Sequence, residues 1–184
     1  MTSPVPEMPR SAPPIVPDTK DWTAVVDAGC DECGFRPDDV APAALSGTVR
    51  DLIPRWLAAL HRPDVGVRPE PTTWSVLEYG AHVRDVHRVF AGRLRRMLDE
   101  DDPRFDNWDQ DATAVEQRYD LQDPAVVADD LARAAEEFAA ELDTVREEDL
   151  ERPGLRSNGS VFTVRTLGQY FLHDVVHHLH DVRG

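Results

Sequence analysis

Apolar side chains recur every three or four residues along four separate stretches of this chain, and no segment shows a convincing strand alternation. The first stretch runs from about Pro42 to His61, with Leu45, Val49, Leu52, Ile53, Trp56 and Leu60 on one face. Pro54 falls inside it and should kink or interrupt the helix, because proline lacks the amide hydrogen the ladder needs. A second stretch follows Pro71-Thr72-Thr73, whose hydroxyls can cap it, and continues to about Leu98. The third opens at Asp123-Pro124, a cap with proline in the first turn, and ends near Val145. Its apolar stripe is Ala128, Leu131, Ala135, Phe138 and Leu142. The fourth starts at Thr163 or Arg165 and runs almost to Gly184. Four amphipathic helices predict an all-α fold, an antiparallel four-helix bundle.

The segments between these stretches read as connections. Asp99–Asp111 holds seven acids against Arg104, a solvated loop rather than a calcium site, since the EF-hand spacing with its central glycine is missing. Arg152 to Gly159 is turn-rich. Six of the fifteen prolines fall in the first seventeen residues, so residues 1–20 are expected to form a disordered tail. Residues 21–41 form a short segment containing Cys30-Asp-Glu-Cys33-Gly34, and residues 42–184 form the bundle.

The charge and the missing motifs exclude several functions. Acids outnumber bases 35 to 20, for a net charge of −15 and no basic stripe, which argues against a nucleic-acid partner. No apolar run reaches the ~20 residues of a membrane span, and Met1–Lys20 lacks the pattern of a secretory signal. The expected setting is cytoplasmic, with both cysteines reduced. No GxG appears, which argues against a Rossmann-type or P-loop nucleotide site.

The chemistry gathers around histidines. His173 and His177 form an HxxxH on the last helix, about 40° apart on the helical wheel and therefore able to chelate one divalent cation. His180 lies about 20° to the other side of His173, whereas His178 is about 140° off and should miss the site. On the second helix His82 shares a face with Tyr79, Val86, Val89, Phe90 and Met97, which makes it the natural third ligand. Three buried imidazoles without a ligand would leave polar nitrogens unpaired at about 1–3 kcal/mol each, a cost that one metal ion would relieve.

These residues resemble the DinB-like superfamily of metal-binding four-helix bundles, which includes bacterial thiol-dependent S-transferases. The likeness rests on Trp74-Ser75, Glu78 and His82 in the second helix and on His173 and His177 in the last, and it covers about Pro42 to Val182. It implies that His82, His173 and His177 bind one divalent metal, zinc or nickel foremost, and that the co-substrate is a low-molecular-weight thiol. The Cys30–Cys33 segment with Asp21-Trp22 is similar to an actinobacterial subgroup, in which that thiol would be mycothiol. The resemblance also admits a homodimer through the helix faces. The chain departs from the family in reading His178-Leu179-His180-Asp181 where relatives often carry Gly-Gln.

An open three-ligand site supports two reactions. A thiol activated at the metal can attack a small electrophile, or an activated water can hydrolyse a substrate. Glu78 or Asp174 could serve as base in the second, and Tyr170 could donate to substrate. A bundle with structural metal and a partner-binding surface is the non-enzymatic alternative. Cys30 and Cys33 fit a surface turn closed by Gly34, half of a structural zinc site or a dithiol pair, and the sequence does not choose among them.

Overall fold

Four long helices form the body of the protein, and a computed structural model describes Ile15, Val16, Lys20 and residues 22–184. The tail expected over residues 1–20 lies outside these apart from the three named positions. A 3-10 turn at Trp22–Ala24 leads into the short α1, Val25–Ala28. The long helices are α2 (Leu45–Leu60), α3 (Val76–Asp99), α5 (Pro124–Leu142) and α6 (Val164–Asp181), with a short α4 at Gln110–Glu116. α5 packs against both α2 and α3, and α6 packs against α3. Trp56, Phe138 and Phe171 are each no more than 1% exposed. Such burial contributes about 1.5–3 kcal/mol per large apolar side chain. Among the described residues no helix is long and apolar enough to cross a membrane.

Pro54 does not interrupt α2. It stands on the exposed side, where water can hydrate the carbonyl left without its amide partner. Gly80 lets α3 approach α2 closely, since a Cβ there would sit 2.6 Å from the Leu60 side chain.

The one departure in fold is a small sheet of β1 (Arg104–Phe105), β2 (Pro153–Arg156) and β3 (Val161–Thr163). β1 pairs parallel to β2, and β2 pairs antiparallel to β3. The turn-rich stretch is therefore a hairpin, and Gly159 takes its positive φ of 98°. Arg152 ties this sheet to α3 by donating to the carbonyls of Met97 at 2.6 Å and Glu100 at 3.0 Å, orphan acceptors at the helix end. Within the acidic connection, Asp109 caps α4 by accepting from the Ala112 amide at 2.9 Å. None of its acids joins a metal-binding group among the described residues.

The start of α3 is fixed by a capping box. The Glu78 amide donates to Ser75 Oγ at 3.3 Å, and Ser75 N and Oγ each donate to the Glu78 carboxylate at 2.8 Å. Arg68 Nε donates to the same carboxylate at 2.9 Å, completing a nearly buried ion pair. Removing Glu78 would take the carboxylate from Arg68 and uncap the helix that carries His82. Glu78→Ala is expected to cost about 3 kcal/mol in a denaturant titration, and Glu78→Gln, which keeps an acceptor for the cap, distinctly less.

His87 is packed edge-on against Phe171, with 5.0 Å between centroids, and its Nδ1 lies 2.7 Å from the Val83 carbonyl as donor. Burial pushes this imidazole down to about 4, and the carbonyl offsets only part of the shift. The unfolded chain takes up a proton near pH 6.5 that the folded chain refuses until about pH 4. Stability is therefore fully present above that window and is lost as pH falls through it, by up to about 1.4 kcal/mol per pH unit for one histidine. His87→Leu should flatten the acid side of a Tm-against-pH curve relative to the wild type.

Candidate metal centre

α6 is covered on two adjacent faces, and each face carries its own pair of ligand-type side chains four residues apart. The face toward α3 presents Asp174 and His178. His82 Nε2 on α3 lies 3.2 Å from Asp174 Oδ1, and His178 Nε2 lies 3.8 Å from the same oxygen. His82, Asp174 and His178 each offer a ligand atom within 4.8 Å of the other two. Trp74 and Trp108 enclose His82, the latter stacked at 5.3 Å with 4° between planes. Trp108 is itself held by donating from Nε1 to Thr113 Oγ1 at 2.9 Å. His82 is fully buried, and its Nδ1 has no hydrogen-bond partner.

The electrostatics of this face suit a cation. Burial pushes the Asp174 carboxyl up, but His82, His178 and His173 around it outweigh that and hold it down at about 2. It is a carboxylate throughout the neutral range. His178 Nδ1 donates to Asp181 Oδ2 at 2.9 Å, which fixes the ring and leaves Nε2 as the acceptor nitrogen toward Asp174. Two imidazoles and one carboxylate are a donor set that catalytic zinc sites use, with a position left open. The convergence of three donors on one point fits such an ion.

The other face of α6 turns His173 and His177 toward the N-terminal segment. Their ligand atoms group with those of Cys30 and Cys33, again all within 4.8 Å of one another. Trp22 packs on both rings, at 5.2 Å from His173 and 4.7 Å from His177, and Phe35 meets His173 at 5.3 Å. Burial and the neighbouring His177 push His173 down to about 4. Burial pushes the Cys33 thiol up, with Cys30 beside it.

The three histidines expected to act together are thus divided, His82 to one group and His173 with His177 to the other. A helical wheel relates positions within α6 but does not say which of its faces meets α3. The signal that could have revealed the group around His82 is Asp174-x-x-x-His178, an i,i+4 pair displaced by one residue from the HxxxH. His180 is exposed and belongs to neither group. Glu78, considered as a base, is engaged by Ser75 and Arg68. Tyr170 is stacked on Phe162 at 5.4 Å, and burial pushes its hydroxyl up.

Both groups border one cavity of about 240 Å³. Its walls include Trp22, Glu32, Trp74, Tyr79, Tyr170 and Asp181, together with Asp174, His173, His177 and His178. Asp181 stands between the groups, 2.9 Å from His178 and 3.7 Å from His177.

Comparison with known proteins agrees with this architecture. A family profile described as the DinB superfamily matches residues 46–182, a span that begins after both cysteines. A solved structure, YfiT from Bacillus subtilis, superposes with a TM-score of 0.67 at 18% identity, covering 80% of this chain and 85% of that one. That protein is described as a probable metal-dependent hydrolase with an unusual four-helix bundle topology. No curated protein matches the sequence. With the matched span reaching from α2 to the end of α6, the chain belongs to the DinB superfamily.

Proposed function

We propose that this protein is a divalent-metal-dependent enzyme that joins a low-molecular-weight thiol to a small electrophile, with the metal held by His82, Asp174 and His178. The observation that carries the reading is the convergence of two Nε2 atoms on the Asp174 carboxylate at the edge of a cavity. A divalent ion bound there supplies Lewis acidity, which favours the deprotonated form of a thiol at neutral pH.

The chain's own residues divide the remaining work. Asp181 orients His178 through its hydrogen bond and so aims the ring at the centre. Trp74 and Trp108 shield His82 from water, which strengthens the electrostatics around it. A cavity of about 240 Å³ is below the ~300–1,000 Å³ of ordinary ligand pockets. It suits a small electrophile and the sulfur end of a thiol, with the rest of a mycothiol-type molecule extending outward.

Metal-dependent hydrolysis is the second reading, supported by the likeness to YfiT. Against it, Glu78 is occupied by its cap and by Arg68, and Asp174 is occupied by two histidines, so neither is placed as a base.

The test is thiol consumption with monochlorobimane by metal-loaded protein, beside an ester hydrolysis panel without thiol. His82→Ala and His178→Ala are each expected to abolish metal-dependent thiol consumption. Asp181→Asn should weaken metal affinity at this centre by about 10–100-fold. Hydrolysis without thiol, lost in the same variants, would shift the assignment to the second reading. Activity surviving His178→Ala but lost in His173→Ala would return the centre to His82, His173 and His177.

A further inference from the structure

The strongest arrangement that the proposed reaction does not use is the second group on α6. We propose that Cys30, Cys33, His173 and His177 form a closed tetrahedral site for a zinc-type divalent ion, separate from the centre at His82. This site holds the N-terminal segment against α6.

Distance, chemistry and one unpaired atom support this. Four potential donors come from two segments far apart in sequence, and their ligand atoms lie within 4.8 Å of one another. Cys30 Sγ and His177 Nδ1 are 3.6 Å apart. With zinc–sulfur near 2.3 Å and zinc–nitrogen near 2.0–2.1 Å, the sulfur–nitrogen edge of a tetrahedron is also about 3.6 Å. That pair therefore already stands at bonding separation across a common ion. His173 is 3% exposed, and its Nε2 has no hydrogen-bond partner. A buried, unpartnered imidazole nitrogen is costly, and His173 carries one while grouped with two thiols and a second imidazole.

The surroundings complete the case. His177 uses Nδ1 toward Cys30, which leaves Nε2 to face Glu32 and Asp181 carboxylates, each at 3.7 Å. A carboxylate behind a ligating imidazole is the outer arrangement that metal-binding histidines favour. The donor set of two thiolates and two imidazoles leaves no open position, so the site is structural. Binding releases the two thiol protons to solvent as the sulfurs coordinate. The ion would fix the segment bearing Trp22 and Glu32, both of which line the cavity. This inference does not depend on the thiol-transfer reading, because it uses none of His82, Asp174 or His178.

The experiment is cobalt substitution in the reduced full-length protein, followed by absorption spectroscopy. The expected result is thiolate-to-cobalt charge-transfer absorption together with ligand-field bands of tetrahedral intensity. Both should persist in His82→Ala and disappear in Cys33→Ser and in His177→Ala. Competition with a chelator should show zinc affinity at this site falling more than about 100-fold in Cys33→Ser, beyond what outer-sphere changes cost. Cys33 is the informative cysteine because it is only partly buried, and circular dichroism of the variant checks that the bundle remains folded. Charge transfer that is absent from the wild type, or that survives Cys33→Ser in a folded protein, overturns the proposal. So does a Cys30–Cys33 disulfide as the resting state under reducing conditions. Loss of activity in His82→Ala with the cobalt–thiolate band intact separates the two sites. A band present in a protein without either activity refutes the catalytic reading and leaves this one standing.

Discussion

A carboxylate enclosed by imidazoles anchors α6 to α3. Asp174 is charged, and an isolated charge at that depth would cost several kcal/mol. His82 and His178 meet it at 3.2 and 3.8 Å, and Asp181 in turn holds His178 at 2.9 Å. The face of α6 turned toward α3 is the one that carries this contact. That orientation sets the direction of the neighbouring residues, because each step along a helix rotates the side chain by about 100°. His173 and His177 are then directed away from α3 and must be covered by something else. Trp22, Cys30 and Phe35 of the N-terminal segment provide that cover.

The N-terminal segment is therefore part of the working structure, although the family span begins after it, at residue 46. It closes one side of the cavity and buries the second histidine pair. Its loop is drawn tight where the Cys30 amide donates to the Phe35 carbonyl at 2.9 Å. Gly29 makes this turn possible, with φ at 74° and a Cβ position that would lie 2.7 Å from the same carbonyl oxygen. At the opposite side, α4 and the loop before it bring Trp108 over His82. Connections that look like linkers thus shape both sides of the site, while the bundle supplies the rigid ligands.

The helices were legible because their signals are local. Apolar stripes, the Asp123-Pro124 start and the Trp74-Ser75-x-x-Glu78 pattern act within a turn or two, and α2, α3, α5 and α6 fall where those signals place them. The actual cap of α3 is Ser75 rather than the preceding threonines. The sheet was not legible. Strands of two to four residues are too short to alternate, and β1 meets β2 only because the chain returns to the end of α3, where Arg152 binds its carbonyls. The site was half legible. Histidine type, helical location and burial were all readable for His82, His173 and His177, but the grouping of those residues was not.

By itself the sequence determined a four-helix bundle with inward histidines on its second and last long helices, because periodicity and capping act between near neighbours. Tertiary structure decided how α6 is rotated against α3, and so which of its two overlapping i,i+4 pairs faces His82. It also decided what the cysteines touch. Rotation of one helix against another is set by the fit of surfaces remote in sequence, here Trp74 and Trp108 on one side and Trp22 and Phe35 on the other. No spacing rule within a single helix carries that information.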